Sequence, residues 1–66
     1  MIILVEDFDD NFVFKGEADD FLYQNENDYE LETILQDLEY ENFNKSVRVN
    51  NNGLEYVITK IDELMY

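Results

Sequence analysis

Between Glu17 and Asn44 the chain carries ten carboxylates and neither Lys nor Arg. Charge of this density restricts what the segment can become, because self-repulsion works against any compact arrangement. Two carboxylates about 10 Å apart in water repel by only ~0.4 kcal/mol before salt screening. Many such pairs add up, yet a small fold survives them at cellular salt. The acids therefore either keep the chain soluble or meet a partner.

Within the same segment the apolar residues recur at helical spacing. Ala18, Phe21 and Leu22 share a face behind Glu17, Asp19 and Asp20, and the helix dipole favours acids in a first turn. Leu31, Ile34, Leu35 and Leu38 form an i, i+3, i+4, i+7 stripe, the expected core face. The spacing predicts a short helix from Glu17 and a second from about Asp28 to Asn42, with Asn27 and Glu30 as a capping box. Periodicity leaves open whether these are two helices or one bent rod. Projected at about 100° per residue, Glu30, Asp37 and Glu41 follow one flank of the stripe, and Glu32 and Glu39 follow the other. Thr33, Gln36, Tyr29 and Tyr40 face outward. Acids within a row stand ~6 to 10 Å apart at a rise of about 1.5 Å per residue. Rows of carboxylates with tyrosines between them resemble the rows of phosphates flanking aromatic bases in a duplex.

The flanking segments read as hairpins. Met1 to Phe8 is apolar and β-branched at its start and then alternates, as a strand does. Asp9, Asp10 and Asn11 make a turn cluster. Phe12 to Lys15 is a second strand, with Phe12 and Phe14 on one face and Val13 on the other, ended by Gly16. Near the other end, Ser46 to Asn50 and Leu54 to Thr59 flank Asn51-Asn52-Gly53, and Asn-Gly is a strong hairpin signal because a type I′ turn needs positive φ at both central residues. That turn sets Val49 opposite Tyr56 and Val47 opposite Ile58. Val47, Val49, Leu54, Tyr56 and Ile58 then share one side, and Arg48, Asn50, Glu55, Val57 and Thr59 the other. Ile61, Leu64 and Met65 suggest a last helical turn. The order ββααββ(α) predicts one α+β domain over 1–66, an antiparallel sheet of two hairpins covered on one side by the acidic helical segment.

Sixty-six residues lie near the lower limit for a domain that folds alone, and no disulfide is available to staple it. Ten aromatics and a hydrophobic fraction of 45% nevertheless argue against disorder. With no His, no Cys and a single Ser, the chain lacks the usual nucleophile–base pairs, so neither catalysis nor a cofactor is expected. The cluster Glu6, Asp7, Asp9, Asp10, Asn11 lacks the glycine and the twelfth-position Glu of an EF-hand loop, and no metal site is assigned to it. The longest apolar run, Met1 to Val5, is too short to span a bilayer, and no basic residue precedes it; an unprocessed cytoplasmic protein is expected. A net charge of −13 repels nucleic acid and anionic membranes and attracts a cationic partner. Ordinary helical surfaces mix signs and pair Glu with Lys at i, i+4, whereas all four cations here, Lys15, Lys45, Arg48 and Lys60, lie outside the acidic run.

The segment from Arg48 through Asn50-Asn51-Asn52-Gly53-Leu54-Glu55 to Ile58 resembles the hairpin of phage-encoded type II-A anti-CRISPR proteins. These are small acidic mimics of duplex DNA that occupy the site where the RNA-guided nuclease reads the motif flanking its target. The resemblance implies an anti-CRISPR function in the cytoplasm of an infected or lysogenic bacterium. It gives Asn52, Gly53 and Glu55 a role at the hairpin turn, with Leu54 between them. The guide-RNA-loaded type II CRISPR nuclease would be the partner. The full set of expected partner contacts is Asp19, Asp20, Glu26, Asp28, Glu30, Glu32, Asp37, Glu39 and Glu41, together with Asn52, Gly53 and Glu55. Charge alone fits other basic DNA-binding enzymes as well, such as a glycosylase, a restriction enzyme or a nucleoid protein. An antitoxin-like interaction module, or a homodimer paired through an edge strand, is the alternative outside that class.

Overall fold

The two hairpins merge into one four-stranded antiparallel sheet of order β2-β1-β4-β3 in the computed structural model, which describes residues 1–51 and 53–65. The elements are β1 (Ile2–Asp7), β2 (Phe12–Glu17), α1 (Ala18–Gln24), α2 (Tyr29–Glu39), β3 (Ser46–Asn51) and β4 (Leu54–Ile61), followed by a 3₁₀ turn (Glu63–Met65). This is the expected α+β order. The first and last strands pair at the centre, Val5 opposite Ile58 and Leu4 opposite Thr59. The C-terminal hairpin has the register that its Asn-Gly turn predicts, Val47 opposite Ile58 and Val49 opposite Tyr56.

Both helices lie on one side of the sheet. Ile3, Val5, Val49 and Ile58 meet Ala18 and Phe21 of α1 and Leu31, Leu35 and Leu38 of α2 in a single buried cluster. Phe21 stacks against Phe14 at a ring-centroid distance of 5.2 Å and meets Tyr56 edge-on at 5.8 Å, so α1 is anchored to both hairpins. The predicted stripe of α2 is the buried one, with Ile34 half-buried at its margin.

Several local expectations are corrected. Phe12 and Phe14 lie on opposite faces, because the ladder shifts between Val5 and Glu6: Phe14 pairs with Val5 but Phe12 with Glu6. A bulge of this kind inserts one residue and reverses the alternation. Gly16 does not end its strand. It pairs with Ile3, and β2 runs through Glu17 directly into α1 without a loop. An orphan donor of that helix start, the Ala18 N–H, bonds to the Met1 carbonyl at 2.9 Å. The two helices are separate, since Glu26 and Asn27 between them are both left-handed (φ 61° and 54°). Asn27 therefore cannot cap α2. Asp28 does so, accepting the Leu31 N–H at 3.0 Å, and Leu31 rather than a Glu occupies the third helical position. The helix ends at Glu39, three residues short of Asn42.

Candidate anionic interface

The sheet sorts the chain's charges. Facing α2 from the central strand β4, Lys60 donates from Nζ to the carbonyls of Glu39 (2.7 Å) and Glu41 (2.9 Å). The last turn of α2 has no basic residue of its own, so Lys60 supplies the cation that a helix C-terminus favours. Arg48 and Lys15 lie on the other side of the sheet, by their pairing with Val57 and Leu4. The Arg48 guanidinium sits 4.4 Å from the Phe8 ring centroid. Lys45 occupies the turn before β3. Lys60 is thus the one of the four that reaches the acidic helix, and it does so through main-chain carbonyls.

On the helical layer Asp19 and Asp20 are exposed in the first turn of α1, and Glu30, Asp37, Glu39 and Glu41 are exposed along and just beyond α2. Glu32 is half-buried and accepts from the Gln36 amide at 3.3 Å. Among the described residues none of these seven carboxylates has a Lys or Arg partner; the ion pairs present join the Met1 amino group to Glu17 (3.2 Å) and Glu63 (3.9 Å). Tyr29 and Tyr40 are 80% and 91% exposed on the outward side of α2, as projected. The two acidic rows face different ways. Glu32 and Glu39 turn toward α1 and line a 430 Å³ cleft with Asp19, Glu17 and Gln36. Glu30 and Asp37 follow the opposite flank. Glu17 is the member that sequence reasoning missed, because only the loop-free β2–α1 junction brings it to the cleft. Among the described residues no three carboxylates converge tightly enough to hold a metal ion, so the acids form a spread surface.

The remaining predicted contacts are placed differently. Asp28 is half-buried and occupied as the cap of α2. Glu26 is exposed between the helices. Glu55 pairs with Asn50 and points, by register, to the side of the sheet away from α1 and α2. Gly53 is exposed in the turn with φ of 82°, where a side chain would have room but the backbone would be strained. Asn52 lies outside the described residues. The structure thus gathers the helical acids and leaves Glu55 across the sheet from them.

The Asp9–Asn11 cluster has a structural account. One Asp7 carboxylate oxygen accepts the N–H groups of Asn11 (2.8 Å) and Asp9 (2.9 Å), and the other accepts the Asn11 side-chain amide (3.2 Å). The Asn11 backbone N–H does most to hold this carboxyl below its ordinary pKa, against the opposing effect of desolvation; the Asn11 side chain and the Asp9 N–H lower it further. Asp7 is thus the organiser of the first hairpin turn.

The chain matches no protein-family model, no curated protein and no solved structure. Its functional reading therefore rests on the geometry above and on the hairpin resemblance.

Proposed function

We propose that this protein is a DNA mimic that inhibits by occupancy, its anionic helical layer covering the basic DNA-binding surface of another protein. The observation that carries this reading is that, among the described residues, seven carboxylates on and just beyond the helices form no ion pair with Lys or Arg; two of them, Glu39 and Glu41, stand at the C-terminus of α2, where Lys60 bonds to their main-chain carbonyls and not to their carboxylates. An acid there opposes the helix dipole and costs about 0.3–1 kcal/mol. A DNA-binding surface offers guanidinium forks that a carboxylate satisfies bidentately, with Lys side chains that pair with further acids. Opposite charge also steers the encounter and makes it salt-sensitive. No bond is made or broken, and inhibition is competition for the site.

The guide-loaded type II CRISPR nuclease is the specific target proposed, from the hairpin resemblance. Its motif-reading arginines, which pair with guanine edges, are the groups the acids would satisfy. To test this, the protein is immobilised, a lysate of bacteria carrying a type II CRISPR system is passed over it, and bound proteins are eluted in a salt gradient. Recovery of the nuclease supports the proposal. Recovery of a different DNA-binding enzyme keeps the mimic and discards the CRISPR target. Retention of nothing refutes both. Reversing Glu30, Asp37 and Glu41 to Lys should abolish retention with the helical circular-dichroism signal intact, and Glu55→Lys, at the hairpin contact that the resemblance implies, should weaken it in part.

A further inference from the structure

β3 is an outer strand whose one neighbour in the sheet is β4. The Lys60 N–H donates to the Lys45 carbonyl at 3.0 Å, one step before the Ser46–Thr59 pair. Antiparallel ladders alternate between bonded and non-bonded pairs. Val47 and Val49 therefore exchange bonds with Ile58 and Tyr56, and the main-chain N–H and C=O groups of Ser46, Arg48 and Asn50 point out of the sheet. The register from Ser46 to Asn51 has no shift, and the strand holds no Pro and no charge on its helix side. It thus lacks the bulge, proline and inward charge that blunt many edges. The other edge, β2, is broken by its bulge and turns at Glu17 into α1.

The helical layer decides what borders the β3 edge. α1 lies against β2 and α2 against β3, so the flank of α2 turned away from α1 runs along the outer side of β3. Glu30, Ile34 and Asp37 occupy that flank. Ile34 and Val47 are both half-buried against the core, which reaches the surface here. Glu30 and Asp37 are exposed beside them.

We propose that this edge takes an extended basic segment of a partner protein as an added strand, antiparallel to β3. Main-chain bonds to Ser46, Arg48 and Asn50 hold the segment, and its alternate side chains are read. Residues opposite Val47 and Val49 fall on the helix side. Lys or Arg fits there, its methylene stem covering Ile34 and Val47 and its charge meeting Glu30 or Asp37. Residues opposite Ser46, Arg48 and Asn50 fall on the other side, where Arg48 disfavours a cation and favours Thr, Ser or an acid. The segment is therefore basic at every second position. A second copy is a poor occupant, since antiparallel pairing of β3 with itself turns the flanks carrying Glu30 and Asp37 toward each other. The proposal rests on the reading that the helical acids meet a cationic protein, and it adds how one segment of that protein is held.

The probe is a short synthetic peptide of alternating Lys and Thr with blocked ends. Its binding is followed by amide hydrogen exchange in NMR spectra at about 50 mM salt. The expected result is slowed exchange at the N–H groups of Ser46, Arg48 and Asn50, with little change at Val47 and Val49, which already bond to β4. N-methylation of the Thr residues, whose N–H groups face β3, should weaken binding at least about tenfold, and N-methylation of the Lys residues far less. Arg48→Pro removes one outward N–H and leaves the β4 ladder whole, so it should lose the peptide while Arg48→Gln keeps it, with circular dichroism confirming the fold of both. Absence of binding overturns the proposal. Binding without protection of the Ser46, Arg48 and Asn50 amides, or equal loss on either methylation, overturns it too: the acids then attract cations diffusely, and the DNA-mimic reading stands. Protected amides with no DNA-binding enzyme retained from the lysate would keep the strand site and discard DNA mimicry.

Discussion

Lys60→Met tests how the acidic helix is held to the sheet. The substitution keeps the length of the side chain and removes its charge. It deletes two charge-assisted hydrogen bonds, to the carbonyls of Glu39 and Glu41, and a cation 5.3 Å from the Phe43 ring centroid. Hydrogen bonds to charged groups contribute roughly 1.5–3 kcal/mol each when buried, and the dipole interaction about 0.3–1 kcal/mol more. Water replaces part of this at the exposed end of a helix, which leaves a loss of about 2 kcal/mol. A chain of this length has roughly 3–10 kcal/mol in total. With a urea slope near 1 kcal/mol/M, the unfolding midpoint should drop by about 2 M. The net charge also becomes more negative, so Lys45→Met is the control: Lys45 is exposed before β3 and its removal changes the charge equally. Lys60→Met should fall well below Lys45→Met at every salt concentration. Equal midpoints for the two variants would refute the reasoning and assign the effect to net charge alone.

Leu38 is fully buried under the sheet, and Leu38→Ala should cost about 2–5 kcal/mol, enough to leave much of the protein unfolded in low salt by circular dichroism. Asp28→Ala should cost about 1 kcal/mol in urea titrations through the lost cap, with Asp28→Asn close to wild type and partner binding little changed in both. Asp7 has a depressed pKa in the folded chain, so its contribution is present above the ordinary carboxylate range and is lost as pH falls through its lowered value. The difference in urea midpoint between wild type and Asp7→Ala should therefore be larger at about pH 6 than at about pH 2, and a constant difference would contradict the sign.

What the sequence made legible was local. The stripe Leu31, Ile34, Leu35, Leu38 orients α2 and therefore its acidic rows, because burial of one face decides the direction of every other side chain. The Asn-Gly pair in the sequence predicts the register of the last hairpin, and that register places Glu55 away from the helices. The illegible parts depend on contacts distant in the chain. Phe12-Val13-Phe14 alternates faultlessly in sequence, and only its pairing with β1 shows the bulge. Asn27 and Asp28 are both good caps, and the left-handed backbone at Asn27 decides between them. The central β1–β4 pairing joins opposite ends of the chain. It determines that Lys60 reaches α2 and that Lys15 and Arg48 share a face with Glu6 and Glu55.

The central claim is that the helical acids take the place of DNA on a basic protein surface. Its most direct test uses purified guide-loaded type II nuclease bound to fluorescent target duplex. The protein is added, and DNA release is followed by anisotropy at about 50 and about 200 mM salt. The account predicts release of the duplex, an affinity that falls steeply over that range, and no release by the Glu30, Asp37, Glu41 charge-reversed variant. Duplex that stays bound at both salts, or release that the reversed variant reproduces, would contradict it.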